Sequence, residues 1–280
     1  MAARFPGLIG PGIAAPAHVR ALETWTEPPT RLTIQEDEVH VWRADLQAPG
    51  SVGEQLAAAL DDAESRQAQR FRFARHRDRF MARRAMRRWI LARYLQIEPA
   101  ALELDFAQYG KPLLGSRYGS DLRFNCSHSE NLALLAISRG RDVGVDLERI
   151  KPDFSDDAIP ERFFTPREAA LLRALPAQQQ ADAFFELWVR KEAYVKARGM
   201  GLSLALDSFE IPLGDVELVR QLHAAPQSAG AGPWTMMAFR PAPAYPAALV
   251  VQGHACTLRG WTWSCPQGED GHRSGGNEVR

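Results

Sequence analysis

Lysine is scarce in this 280-residue chain, although basic residues as a class are not. Lys and Arg together number 34, yet only four of them are lysine, at Lys111, Lys151, Lys191 and Lys196. An ammonium is a compact point charge, whereas a guanidinium is a broad planar fork with a higher proton affinity. We therefore expect a retained lysine to stand where the smaller cation is required, and three of the four fall in motifs described below.

Net charge, cysteine and long apolar segments are also limited, and each shortage excludes a class of partner or setting. Lys plus Arg equals Asp plus Glu at 34 each, so no overall field recruits nucleic acid or an anionic membrane. The three cysteines are odd in number, lack zinc-like spacing and follow no secretory leader pattern, which predicts a reducing cytoplasm. No apolar run approaches the roughly 18 residues of a membrane span. We expect neither nucleic acid nor a membrane as partner.

Turn residues and apolar periodicity predict an α+β fold in four parts. Residues 1–36 are expected to be a poorly structured N-terminal segment and residues 256–280 a loose tail, because both lack sustained periodicity. Residues 37–120 and 121–255 are expected to form an N-terminal and a C-terminal subdomain. Predicted helices cover residues 53–69, 78–95, 166–175 and 179–198, and predicted strands cover residues 39–44, 122–126, 132–138, 142–148, 203–211, 234–240 and 247–252.

Two acidic residues share one face of a predicted strand in the segment GVDLE, residues 144–148. Because successive strand side chains alternate, Asp146 and Glu148 point one way while Val145 and Leu147 point the other. Like charges so close require a cation or a basic group, and hard oxygen ligands suit Mg²⁺. A solvated strand face is the alternative interpretation. In either case we expect Asp146 to be a surface carboxylate.

A third carboxylate lies on the predicted helix 179–198. Trp188, Glu192 and Lys196 are spaced by four and therefore share a helix face. Glu192 could join the metal site and Lys196 could contact a phosphate, or the two could be an ordinary helical ion pair beside a core tryptophan. Lys191 lies about 100° round the helix from Glu192, so it need not reach the same ligand.

Small polar residues follow a predicted strand in the segment FNCSHS, residues 124–129. The Ser127 hydroxyl, the His128 imidazole and free backbone amides could all bond phosphate oxygens. A turn with a surface histidine is the alternative interpretation.

Eleven arginines and a single acid, Asp78, lie between Arg66 and Arg93. Such a stretch could bind nucleic acid, form a solvated helix face, or hold a smaller phosphate ligand between two or three guanidinium groups. Phe71 and Phe73 interrupt the run, which favours packing against a core over an unstructured basic arm.

Four segments taken together and in order resemble the surfactin-type 4′-phosphopantetheinyl transferases: GKP (110–112), FNCSHS (124–129), GVDLE (144–148) and WVRKEAYVKARGMGL (188–202). The resemblance extends from about residue 60 to residue 211. It implies two similar α/β subdomains related by a pseudo-twofold axis, with coenzyme A in the cleft between them, and a monomer as the default state. The implied activity is magnesium-dependent transfer of 4′-phosphopantetheine from coenzyme A to a serine of an apo acyl or peptidyl carrier protein.

The resemblance also implies roles for individual residues. Asp146, Glu148 and Glu192 match the acidic metal site, and Lys196 matches the lysine that meets the pyrophosphate. Glu192 is the first candidate for general base, with a metal-bound water as the alternative. The remaining matches are coenzyme contacts, namely Lys111 on the adenine side, Ser127 and His128 at phosphates, and Arg79, with Arg66 and Arg70 as neighbours, at the 3′-phosphate. A non-catalytic nucleotide- or carrier-protein-binding module is the alternative function.

Overall fold

The computed structural model describes residues 22, 24–47, 53–151, 159–211, 233–254 and 256–265. Strands, α-helices and short 3₁₀ turns are mixed along them, which confirms the mixed α/β class. The strands are β1 (Glu38–Asp45), β2 (Leu104–Phe106), β3 (Pro112–Leu114), β4 (Leu122–Ser129), β5 (Leu132–Arg139), β6 (Val143–Leu147), β7 (Trp234–Ala242), β8 (Tyr245–Gln252) and β9 (Thr257–Trp263). The helices are α1 (Gly53–Ala58), α2 (Asp62–Gln69), α3 (Ala74–Leu95), α4 (Ile159–Phe163), α5 (Pro166–Arg173) and α6 (Ala177–Arg198).

The described strands form three sheets. One has the order β4-β5-β1-β9, a second has the order β6-β8-β7, and β2 pairs with β3. Neighbours in the second sheet are antiparallel, as are β4 and β5, whereas β1 and β9 are parallel.

The sheet β6-β8-β7 lies between two apolar layers. Val143, Val145 and Leu147 of β6 pack in one core with side chains of β1 and β5. The opposite core combines residues of β7 and β8 with the apolar face of α6, including Phe184 and Leu187. Burial of each such side chain stabilises the fold by about 1.5–3 kcal/mol. The alternate residues of β6 consequently face α6.

Local signals at the ends of α5 and α6 are confirmed. The Thr165 side chain accepts the Glu168 amide and the Glu168 side chain accepts the Thr165 amide, which completes a capping box ahead of Pro166. At the other end of the pair, α6 terminates at Gly199, whose φ of 64° suits a residue without Cβ. None of the described helices combines the length and apolar character needed to cross a bilayer.

Two predicted elements are wrong. The helix predicted over residues 53–69 is divided, because Asp61 caps a new helix and forms a capping box with Glu64. The strand predicted over residues 203–211 is replaced by 3₁₀ turns at Gly201–Ser203 and Leu206–Ser208. There the Ser203 and Ser208 hydroxyls donate to carbonyls three residues earlier, a local bond that competes with strand pairing.

The predicted terminal segments are partly ordered. Part of the expected loose tail forms β9, which pairs with β1 over its whole length. Upstream of β1, Thr26 bridges Trp261 and the side chains of Leu32 and Ile34 are buried. Pairing partners far away in sequence, which local periodicity does not register, account for both errors. Residues 1–21 and 266–280 lie outside the described residues.

The chain divides into two compact units whose boundaries differ from the predicted subdomains 37–120 and 121–255. One unit comprises Met1–Ala44 with Glu103–Trp263, and the other comprises Asp45–Leu102 with Ser264–Arg280. All three sheets belong to the first unit, apart from the final residue of β1.

The second unit contains α1, α2 and α3, and a buried arginine links several of its segments. Arg88 on α3 pairs with Asp61 and Glu64, and its guanidinium also donates to the carbonyl oxygens of Pro99 and Leu102. A charge so completely buried requires such compensation, because an unpaired one would cost several kcal/mol.

Close contact between β6 and α6 depends on Gly144. A Cβ atom at this position would lie 2.8 Å from the Ala197 Cα atom and would overlap backbone atoms of Ala193 and Ala197. The glycine therefore allows the helix backbone to rest directly on the strand.

Gly144→Ala should lower the free energy of unfolding by about 3 kcal/mol, because rigid backbone atoms cannot make room for the methyl group. Gly53→Ala is the matched control, since Gly53 lies in a helix with no atom within 4 Å of its would-be Cβ. The control should change stability by less than about 1 kcal/mol. Urea unfolding of both variants measures the difference, and equal stabilities would contradict the close packing.

Candidate active site

The charged and polar side chains predicted to act together converge from β4, β6 and α6 in the first compact unit. The FNCSHS segment does not follow a strand as expected but lies within β4 itself. Alternation along β4 therefore places Asn125, Ser127 and Ser129 on one side and His128 on the other. The Asn125 side-chain oxygen accepts the amide of Val145 at 2.9 Å, which fixes β4 beside β6.

Ser127, Asp146 and Lys196 form a compact network. The Ser127 hydroxyl donates to Asp146 Oδ1 at 2.6 Å. Lys196 Nζ lies 2.5 Å from the same carboxylate oxygen and 3.0 Å from Ser127 Oγ. The network brings a cation and a carboxylate from different elements into direct contact, as their helix and strand positions allow.

Asp146 is not the expected surface carboxylate, since only 3% of the residue is exposed. The prediction was wrong because β6 is buried along its entire length beneath α6. Burial of a charge requires compensation, and the ammonium of Lys196 together with the Ser127 hydroxyl supplies it. Asp146 Oδ2, by contrast, is buried and has no hydrogen-bond partner among the described residues.

A second serine–carboxylate pair lies beside the first. The Ser129 hydroxyl donates to Glu148 Oε2 at 2.7 Å and accepts the Arg149 amide at 3.0 Å. Burial raises the pKa of Glu148, the serine bond opposes that rise, and the neighbouring Asp146 charge adds to it. Both carboxylates of the GVDLE segment are thus oriented by hydroxyls two residues apart on β4.

Glu192 completes the acidic group from the helix side. Burial raises the pKa of Glu192, and the negative charges of Asp146 and Glu148 raise it further while Lys196 lowers it. The charges of Asp146 and Glu148 therefore act on Glu192, although Glu192 comes from a different part of the chain.

The donor set fits a hard divalent cation in chemistry but is not assembled as a finished metal site. No group of three or more His, Cys, Asp or Glu residues in the described part of the chain is arranged to hold a metal ion. Asp146 Oδ2 is nevertheless a buried carboxylate oxygen that has no hydrogen-bond partner among the described residues and could serve as a metal ligand. Oxygen ligands of this kind are those that Mg²⁺ prefers.

Two of the four lysines, Lys191 and Lys111, bond to groups inside the protein. Lys191 is fully buried, pairs with Glu168 at 2.8 Å, and donates to the carbonyl oxygens of Leu206 and Phe209. Burial lowers the pKa of Lys191 and the Glu168 charge opposes that effect. Lys111 is half-buried and its ammonium also donates to two backbone carbonyls, described below.

The basic residues proposed for the coenzyme's nucleotide end lie in the second compact unit. Arg66 lies in α2 and Arg70 is the residue that follows its last turn. Both arginines line a cavity of about 490 Å³, together with Gln67 and Phe71. Neither arginine forms an ion pair with a described residue. Phe71 and Phe73 are exposed, at 38% and 57%, although the Phe71 ring lies 5.3 Å from that of buried Phe80. The arginine-rich stretch itself is helical and packs on a core, as expected.

Asn125 and Ser129 were missed as site residues, although their signal was present. Both share the strand face of Ser127 by period two. Asn125 lies within the predicted strand 122–126, and extending that strand by three residues would have included Ser129. Lys111 and Lys191 depend instead on contacts with distant carbonyls, which sequence spacing does not reveal.

Comparison with known proteins matches both halves of the chain. Residues 142–234 match the 4′-phosphopantetheinyl transferase superfamily, and residues 51–139 match the 4′-phosphopantetheinyl transferase N-terminal family. The 4′-phosphopantetheinyl transferase HetI of Nostoc sp. strain PCC 7120 is 41% identical over 85% of this chain and 98% of its own length. A Bacillus subtilis 4′-phosphopantetheinyl transferase is 34% identical over 61% of this chain and 75% of its own.

A further relative, the 4′-phosphopantetheinyl transferase Sfp of Bacillus subtilis strain 168, is 35% identical over 45% of this chain and 54% of its own length. These matches, together with the carboxylate–lysine site, confirm the resemblance found in the motifs. The chain belongs to the 4′-phosphopantetheinyl transferase family.

Lys191→Met should lower the free energy of unfolding by about 3 kcal/mol or more, because the buried Glu168 would lose its counter-charge. Urea unfolding measures the effect. Lys151→Met is the control, since Lys151 is exposed, and it should change stability by less than about 0.5 kcal/mol. Equal stabilities of the two variants would mean that the Lys191 contacts do not support the fold.

Proposed function

We propose that this chain transfers the 4′-phosphopantetheine group of coenzyme A to a serine hydroxyl of an apo acyl or peptidyl carrier protein. The observation that carries the proposal is the direct contact of Asp146 with Lys196 and Ser127, beside Glu148 and Glu192, in a member of the 4′-phosphopantetheinyl transferase family. Three carboxylates and a lysine at one place suit chemistry on a pyrophosphate.

The reaction exchanges one phosphorus–oxygen bond for another. The serine Oγ of the carrier protein bonds to the β-phosphorus of coenzyme A, and the bond from that phosphorus to the bridging oxygen breaks. The bridging oxygen leaves on adenosine 3′,5′-bisphosphate. Glu192 is the proposed general base that takes the hydroxyl proton, because it lies beside the other two carboxylates but belongs to a different element.

Lys196 is proposed to stabilise negative charge on the leaving phosphate. Its side chain is partly exposed, at 29%, so the ammonium could contact a ligand while it stays bonded to Asp146. Asp146, Glu148 and Glu192 would hold Mg²⁺, which when bound would neutralise charge on the pyrophosphate. Asp146 would also keep Lys196 oriented through the bond they share.

The other coenzyme contacts remain proposals from the motif match. Arg66 and Arg70 are supported by their shared cavity, where neither is neutralised by a described acid. Arg79, on α3, is assigned to the 3′-phosphate with them. The exposed His128 and the Ser127 hydroxyl are assigned to phosphates. The motif match would place Lys111 on the adenine side, but its ammonium bonds to two backbone carbonyls speak against a side-chain contact with the base. Bidentate guanidinium contacts would contribute mainly ground-state binding of the nucleotide.

Assembly and compartment are proposed with the same activity. Two similar subdomains about a pseudo-twofold axis would need no second copy, so we propose a monomer. The described cysteines Cys126, Cys256 and Cys265 are free thiols, which supports a reducing cytoplasm as the setting.

Transfer is tested by incubating the protein with coenzyme A, Mg²⁺ and an apo carrier protein, and weighing the carrier by mass spectrometry. The wild-type protein should add one phosphopantetheine group. Asp146→Asn should reduce transfer by about 100-fold or more while keeping the circular dichroism spectrum, because the site loses a charge that balances Lys196 and binds cations.

Asp121→Asn is the matched control, since Asp121 is exposed in a surface ion pair with Arg139. It should transfer at the wild-type rate. Unmodified apo carriers of the acyl and peptidyl types alike, or an Asp146→Asn variant as active as Asp121→Asn, would contradict the proposed function.

Lys196→Arg should lower kcat more than about tenfold, because a guanidinium cannot occupy the space between Asp146 and Ser127 that an ammonium fills. Lys151→Arg should leave kcat unchanged, since Lys151 is exposed and has no assigned role. Steady-state kinetics of the two conservative variants measure the contrast. Full activity of Lys196→Arg would remove Lys196 from the proposed chemistry.

A further inference from the structure

Lys111 joins two elements of the site from outside it. The residue lies in the turn that connects β2 with β3. Its ammonium donates to the carbonyl oxygen of Val143 at 3.0 Å and to the carbonyl oxygen of Ala197 at 3.1 Å. Val143 begins β6 and Ala197 lies in the last turn of α6. One ammonium therefore ties the carboxylate strand to the helix that carries Glu192 and Lys196.

The bond at the helix end meets a general need of helices. The last four carbonyls of an α-helix have no partner within the helix, and a cation there also complements the helix dipole. The Gly199 amide donates to the carbonyl oxygen of Lys196, and the Lys111 ammonium donates to the carbonyl oxygen of Ala197. Two consecutive carbonyls at the C-terminus of α6 therefore have hydrogen-bond partners.

The bond from Lys111 to the Val143 carbonyl lies where the backbones of β6 and α6 are in contact. Val143 precedes Gly144, the residue that lets α6 rest on β6. Packing at Gly144 limits how closely the elements approach, but a glycine contact alone does little to prevent sliding or separation. Directional hydrogen bonds from one ammonium to both backbones add that restraint.

We propose that Lys111 is a positioning residue for transfer, which sets the distance between Asp146 on β6 and the Glu192 and Lys196 side chains on α6. The inference rests on the proposed function and deepens it. In this role the Lys111 side chain acts through the protein backbone, and two of its three ammonium protons are committed to carbonyls rather than to the adenine of coenzyme A.

The surroundings of Lys111 suit a lysine. A Cβ atom on Gly199 would lie 3.4 Å from Lys111 Cδ, so the aliphatic stem passes close to the helix terminus. Burial lowers the pKa of Lys111 to about 8, against the opposing effect of Asp142 and with a smaller contribution from Arg123. A slender stem that ends in several donors fits between the two carbonyls.

Lys111→Met tests the inference, because methionine keeps the apolar stem and removes the donors. We expect kcat for carrier modification to fall about 10- to 100-fold, the usual consequence of a small misplacement of reacting groups. The KM for coenzyme A should stay within about twofold. Amide hydrogen exchange, measured without substrates, should accelerate in residues 143–147 and 193–198.

Arg139→Met is the matched control, because it likewise replaces a long basic side chain with methionine. Arg139 is exposed at the end of β5, where it pairs with Asp121. It should alter neither kcat nor exchange in the two segments. Lys111→Arg keeps N–H donors and should recover much of both the lost kcat and the lost protection. If Lys111→Met does not fold, Lys111→Arg carries the test: its residual loss should fall on kcat and on exchange protection in the two segments, and a loss confined to KM would overturn the inference.

A coenzyme A analogue without its base separates positioning from adenine binding. The loss in kcat/KM caused by Lys111→Met should be the same for coenzyme A and for the abasic analogue, because the side chain does not read the base. A loss that disappears with the analogue would overturn the inference, as would wild-type kcat and wild-type exchange in Lys111→Met. An inactive wild-type protein would instead overturn the proposed function, and the positioning role with it.

Discussion

Direct backbone contact between α6 and β6 is the constraint on which the site depends. Gly144 permits the contact, and the apolar side of α6 maintains it by packing on β7 and β8. Because Asp146 belongs to the strand and Glu192 and Lys196 belong to the helix, their separation depends on this packing, to which the proposed Lys111 restraint is added. A rigid element pair holds reacting groups more accurately than a loop would.

Charge compensation is the second principle of the structure. Asp146 and Glu168 are both buried carboxylates, and each is met by an ammonium rather than by a guanidinium. In the second compact unit the same task falls to Arg88, which has room for a fork that reaches two acids. Three of the four lysines, namely Lys111, Lys191 and Lys196, therefore have partners inside the fold. This distinction could not be drawn from composition alone, which marked the lysines as unusual without separating structural from chemical roles.

Local signals were more predictable than tertiary packing, for a physical reason. Periods of two and four place Asp146 with Glu148 on one strand face and Glu192 with Lys196 on one helix face, whatever the tertiary arrangement. The capping box at Thr165 and the glycine stop at Gly199 are equally local, and both were confirmed. The errors arose where distant partners decide the outcome. The strand β9 exists because β1 pairs with it, and Asp146 is buried because α6 covers it.

The parallel pair of β1 and β9 also bears on how the chain acquires its structure. Glu38 pairs with Thr257, more than 200 residues later in the chain. Closing so long a loop costs entropy before any stabilising contact between the two strands forms. Topologies rich in such distant contacts therefore fold slowly. During synthesis β1 would leave the ribosome long before its partner and would present an unpaired edge in the interval. Completion of this sheet is therefore a late event, whereas the antiparallel pair of β4 and β5 can form soon after its strands emerge. The strand β6 must also wait, because its partner β8 follows it by about 100 residues.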